Sequence, residues 1–90
     1  MPYIKQENRI KFEEKARDLG YYATCAGDIN YIITEMVHQY LQGKGLNYAN
    51  INEMIGALEC CKLELYRKIA SPYEDKKIQE NGDVGINKGA

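Results

Sequence analysis

The longest regular hydrophobic pattern in the chain lies in residues 47–70, a stretch that contains no proline. Its apolar residues recur every three or four positions, which is the spacing of one face of an α-helix. At 100° per residue they occupy an arc of about 120°. These residues are Ile51, Met54, Ile55, Leu58, Cys61, Leu65 and Ile69.

A second, weaker seam lies across this helix, at Gly56, Cys60, Leu63 and Arg67. A helix that is apolar on one side and small on the other can pack against two neighbours. We therefore predict that this helix lies at the centre of the fold.

Signals for helix ends place the other elements. Residues 5–19 form a weakly amphipathic first helix, and Gly20 is a natural stop. Asp28 is a good N-cap for a second helix over residues 29–42, which Gly43 ends. The short connector over residues 42–47 favours antiparallel packing of the second and third helices.

The third helix has two candidate N-caps, Asn47 and Asn50. We prefer Asn47, because it lets Leu46 and Ile51 form a hydrophobic staple and so buries Leu46. Asn50 with Glu53 three residues later is the alternative.

A second capping box follows, because Ser71 precedes Pro72 and Glu74 lies three residues after the serine. It predicts a short fourth helix over residues 72–80. The expected fold class is all-α, with a three-helix core and a short fourth C-terminal helix, completed by oligomerisation. Residues 1–82 form a single helical domain, and residues 83–90 a flexible C-terminal tail.

Composition narrows the functional classes. Twelve basic and thirteen acidic residues give a net charge of −1, which excludes the strongly basic surface of a general nucleic-acid binder. No apolar run approaches the roughly 18 residues of a membrane span. The N-terminus has no secretion signal, so we expect a cytoplasmic protein.

The three cysteines indicate neither a disulfide framework nor a metal site. Cys60 and Cys61 are neighbours on a helix and point about 100° apart, so they cannot easily bond each other. There is no CxxC pair, and His38 is not at metal-ligand spacing from any cysteine. We expect free thiols, no metal and no cofactor.

Lys62 interrupts the apolar arc of the third helix. An ammonium group there must reach water, find a partner or lose its proton. Glu59 and Tyr66 lie one turn away on the same side and could hold it. Either the lysine stem extends along the helix with its head group in solvent, or the lysine lines a cavity for an anionic ligand.

Other polar and aromatic residues join Lys62 as candidates. Asn30 lies on the apolar side of the second helix, either as an interhelical clamp or as a ligand contact. The eight tyrosines against one phenylalanine suit wet core edges, interfaces or planar ligands. The candidate ligand-binding residues are Asn30, Tyr48, Glu59, Lys62, Tyr66 and Arg67.

Catalysis is not expected. The chain has one histidine and no nucleophile elbow, so a Ser/His/Asp arrangement is unsupported.

Several segments carry a family resemblance: MPYI, DINYIIT, GLNYANINEMIGALECCKLELYRK and PYEDKKIQENGDV. The chain resembles a family of uncharacterised small helical proteins of bacteria, archaea and phages. The resemblance implies a phage or mobile-element setting, in which small proteins often antagonise host machinery or defence.

Two functions remain open. In the first, a non-enzymatic helical module forms a homo-oligomer and binds a nucleotide-like anionic ligand or a host protein. In the second, the chain is a structural or accessory oligomeric protein without a ligand pocket.

Overall fold

A computed structural model describes residues 2–85, and these residues form an all-α fold, as predicted. Helix α1 spans Gln6–Tyr22, α2 spans Ala26–Lys44 and α3 spans Tyr48–Leu65. A five-residue π-helical stretch, Tyr66–Ala70, follows α3 directly and is called the π segment below. Helix α4, Ser71–Asn81, continues from it without a loop. The predicted tail falls partly on residues 86–90, which lie outside the described residues.

The first two helices are longer than predicted. Gly20 lies inside α1 and does not end it. Helix α2 begins before Asp28, whose carboxylate accepts hydrogen bonds from the backbone N–H of Thr24 at 2.9 Å and its hydroxyl at 3.0 Å. These bonds lower the pKa of the Asp28 carboxyl. Asp28 thus holds the chain that enters α2 from within the first turn. Helix α2 is followed by Gly45, which has a φ of +116°. Glycine suits this position, because a side chain would be strained in that conformation.

The preferred cap of α3 is confirmed. The Asn47 side chain accepts a hydrogen bond from the backbone N–H of Asn50 at 2.9 Å. Asn50 instead donates its side-chain amide to the Gly45 carbonyl at 2.9 Å, which ties the connector to α3. The expected burial of Leu46 is wrong, since this side chain is largely exposed.

The predicted fourth helix is present as α4, but the predicted capping box at Ser71 is wrong. Both Ala70 and Ser71 have helical dihedral angles, and no side chain caps α4. Proline inside a helix removes a hydrogen bond and its ring clashes with the carbonyl four residues back, here that of Lys68. The Ser71 N–H instead bonds to the Tyr66 carbonyl five residues back. We attribute the π segment to this clash, since the wider turn lets one helical rod continue past Pro72.

Helices α2 and α3 form an antiparallel hairpin, as the short connector predicted. Leu41 and Ile51 lie on one cavity near the connector, and Ile33 and Leu58 line another nearer the start of α2. Along this seam Ile33, Val37, Leu41, Ile51 and Met54 are half-buried.

The hairpin is not closed into a compact bundle. Across residues 2–85 no side chain is fully buried, apolar or polar. The radius of gyration is 17.5 Å, against about 12 Å for a compact domain of this length. The prediction that α3 is packed on both sides is therefore wrong for the single chain. A side chain at Gly56, on the predicted second seam, would meet open space.

No helix formed by the described residues is long and apolar enough to cross a membrane.

Candidate functional site

Lys62 lies at the surface of α3 and has an acidic partner. Its ammonium group is 3.1 Å from a carboxylate oxygen of Glu59, and its side chain is 69% exposed. The arc around it is also open, with Ile55 61% exposed and Leu65 57% exposed. The head group thus reaches solvent beside Glu59, as in the first of the two readings, and it is not held in an enclosed cavity.

Tyr66 and Arg67 lie in the π segment but face different partners. The Tyr66 hydroxyl donates to the Glu74 carboxylate, at 3.0 Å and 3.1 Å from its two oxygens. This bond spans the π segment and raises the pKa of Tyr66 above its ordinary value. Arg67 donates to Glu64 at 2.8 Å and to the Tyr3 hydroxyl at 3.1 Å.

Tyr3, Glu64 and Arg67 form a polar cluster that joins the N-terminal segment to the end of α3. The Tyr3 hydroxyl also donates to the Glu64 carboxylate. The hydrogen bond from Tyr3, followed by that from Arg67, lowers the pKa of Glu64. Glu64 in turn raises the pKa of Arg67. The cluster thus connects two chain segments that are distant in sequence, and its one positive charge, on Arg67, is paired with its one negative charge, on Glu64.

Sequence reasoning selected Arg67 from this cluster but missed Tyr3 and Glu64. The spacing of Glu64 and Arg67 was a usable signal, because residues three apart are neighbours on a helix. Nothing in the helical periodicity pointed to Tyr3, which precedes the first helix and contacts residues 61 and 64 positions away.

Tyr48 is remote from the other candidates. It is the first residue of α3 and is 87% exposed. Tyr66 lies 18 residues further along the same rod, which corresponds to about 27 Å at the rise of an α-helix. One small ligand cannot contact both rings, so the two tyrosines do not share a ligand site in the single chain.

Asn30 makes its hydrogen bond within α2. Its side-chain oxygen accepts from the Thr34 hydroxyl one turn later at 3.1 Å. Both residues line a groove of about 420 Å³ between α2 and α3, together with Ile29, Ile33 and Leu58. Because both partners of this bond lie in α2, the bond does not form the predicted interhelical clamp. The groove beside Asn30 is mainly apolar.

A larger open cavity, of about 540 Å³, lies near the hairpin connector. It is lined by His38, Leu41, Gln42, Leu46 and Ile51, none of which was a predicted ligand-binding residue. The sequence predicted a hydrophobic staple between Leu46 and Ile51, and both of these side chains line the cavity.

All eight tyrosines are exposed, at 40% or more of their surface. Tyr21 and Tyr22 contact each other edge to face, with ring centroids 5.7 Å apart. Among residues 2–85, no three His, Cys, Asp or Glu side chains gather where they could hold a metal ion.

A protein-family model matches residues 1–84. The chain belongs to the family described as a domain of unknown function, DUF6899. The match spans all four helices, so membership in an uncharacterised family, implied by the sequence segments, is confirmed. Neither the curated proteins nor the solved structures contain a match.

Proposed function

We propose that the protein is a non-enzymatic structural or accessory module whose fold is completed by self-association. The observation that carries this proposal is the unburied surface. The chain exposes 8232 Å², whereas a compact protein of its mass exposes about 5,400 Å².

Folding energetics favour a partner. Ordering each backbone residue costs about 1–2 kcal/mol, which burial of apolar surface must offset. Helical stability in proteins comes mainly from the packing of an amphipathic face. A hairpin without a fully buried side chain in residues 2–85 has little such packing. A second copy would supply what the single chain lacks.

Four ionisable groups have pKa values shifted away from the range that acid–base catalysis uses. Acid–base catalysis is most efficient when the pKa of the acting group lies near the working pH. The environments here act in the opposite direction, since they lower the pKa of Asp28 and Glu64 and raise that of Tyr66 and Arg67. These groups are held in their ordinary charge states.

Binding of a nucleotide-like anion by the predicted residues has weaker support. Lys62 is paired with Glu59, and Arg67 is paired with Glu64. An anionic ligand would have to displace a carboxylate from each cation, and Tyr48 is too distant to contribute to the same pocket.

Native mass spectrometry of the purified chain tests the proposal, because it reports the oligomer and any retained small molecule together. We expect a homo-oligomer without a stoichiometric adduct at low micromolar concentration. A monomer throughout the micromolar range would overturn self-association. A stoichiometric nucleotide-like adduct would instead favour the ligand-binding function.

A further inference from the structure

Two mainly apolar and largely exposed stripes, one on α2 and one on α3, flank the groove between these helices. The stripe on α2 recurs at intervals of four, three and four residues, and that on α3 at three, four and three. Such spacing is typical of helices in left-handed bundles. Together they form what we call the hairpin face, which consists of Ile29, Ile33, Met36 and Tyr40 on α2 and Ile55, Leu58, Lys62 and Leu65 on α3.

The two stripes meet at one surface. Ile29 and Ile33 line the groove of about 420 Å³ opposite Leu58. Ile55 lies one turn before Leu58 on α3, and Leu65 lies two turns after it, so both are on the same side of the helix. Seven of the eight side chains of the hairpin face are exposed, and Ile33 is half-buried at the groove.

We infer that the hairpin face is the docking surface for the same face of a second copy, so that two hairpins form a four-helix bundle. This inference rests on the proposed self-association and adds the surface that performs it. Four-helix bundles are built around a core of such stripes, and a symmetric dimer places one patch against itself.

The available area is sufficient. The chain exposes about 2,800 Å² more than a compact protein of its size. Burial of one third of this excess on each copy would give a total interface of about 1,900 Å², within the range of stable complexes.

The charges are also compatible with two copies. The chain has a net charge of −1, so the copies repel each other weakly. Lys62 is the one charged side chain in the hairpin face, and Glu59 lies 3.1 Å away. A single lysine in an otherwise apolar seam is known to fix register and oligomeric state at some cost in stability.

Two leucines on α3 provide a matched test. Leu65 belongs to the hairpin face and is 57% exposed, whereas Leu63 is 56% exposed and points about 160° away. Sedimentation equilibrium should show that Leu65→Glu weakens dimerisation about 30-fold or more. Leu63→Glu should retain the wild-type dissociation constant, which controls for the added charge and the lost leucine.

Lys62→Met is a second variant, and this substitution is not expected to weaken the fold. Removal of the charge from the apolar seam should tighten the dimer about tenfold. Far-UV circular dichroism at high concentration should give the wild-type helix content for this variant.

The outcomes separate the two proposals. A wild-type chain that remains monomeric overturns both. A wild-type oligomer that Leu65→Glu leaves intact, or that Lys62→Met does not tighten, overturns the hairpin face alone. A larger effect of Leu63→Glu would place the interface on the opposite side of α3.

Discussion

Replacement of Pro72 by alanine tests the explanation given for the π segment. Proline in a helix interior costs about 3 kcal/mol relative to alanine. Part of this cost is the clash of its ring with the carbonyl four residues back, which the wider turn over Tyr66–Ala70 already relieves. The missing hydrogen bond remains, and such a bond contributes about 0.5–1.5 kcal/mol. We therefore expect Pro72→Ala to stabilise the rod by about 1 kcal/mol, with about 3 kcal/mol as the ceiling.

Thermal unfolding followed by circular dichroism measures this change. One kcal/mol corresponds to about 4–8 °C in Tm for a domain of 60–100 residues. Variants must be compared at equal protein concentration, because the proposed self-association would make Tm depend on it. Pro2→Ala is the matched control, since Pro2 lies before α1, outside any helix; its Tm should match the wild type.

The structural consequence is separate from the stability. With the clash removed, the segment should revert to ordinary i to i−4 hydrogen bonds, which backbone NMR chemical shifts and amide couplings report. A less stable alanine variant, or a π segment that persists without the proline, would show that something other than Pro72 maintains it.

Three further predictions concern local features. Gly45→Ala should lower the free energy of unfolding by about 1 kcal/mol or more, because φ is +116° there, whereas Gly43→Ala inside α2 should raise it by up to about 1 kcal/mol in urea titrations. Asn47→Ala should cost about 1 kcal/mol in the same titrations through loss of the α3 cap. The pKa of Glu64 is lowered from its ordinary value of 4.5, so the hydrogen bonds of the Glu64 carboxylate stabilise the fold above pH 4.5 and are lost as the pH falls below that value. Tyr3→Phe removes one of these bonds and should therefore make amide exchange in the N-terminal segment less sensitive to acid. An unchanged pH profile of that exchange would contradict this explanation.

The parts of the fold that depend on neighbouring residues could be predicted from the sequence. The Asn47 cap and the antiparallel turn between α2 and α3 involve residues within a few positions of one another. The continuity of the rod through Pro72 could not, because Ser71 and Pro72 form a convincing start signal for a new helix. Whether such a signal ends the preceding helix depends on the turn before it, and the wider π turn has no simple sequence pattern.

The candidate site shows a related limit. Helical spacing correctly placed Lys62 beside Glu59, because both lie on one helix. Sequence reasoning also listed Tyr48 and Tyr66 as candidate ligand-binding residues, although the two lie about 27 Å apart along the rod. An angular projection omits the axial distance and the contacts from other segments, such as that of Tyr3 with Glu64.

The apolar arc of α3, which is partly exposed, is the same pattern that led to the wrong prediction of a helix packed on both sides within one chain. Periodicity identifies the face of a helix that needs to be covered, and it applies equally whether the cover comes from the same chain or another. Here α2 covers part of that face and leaves Ile55 and Leu65 exposed. A central helix was expected within one chain, but the same pattern is satisfied if two hairpins surround a shared centre. The expected oligomer and the expected central helix would then describe one assembly.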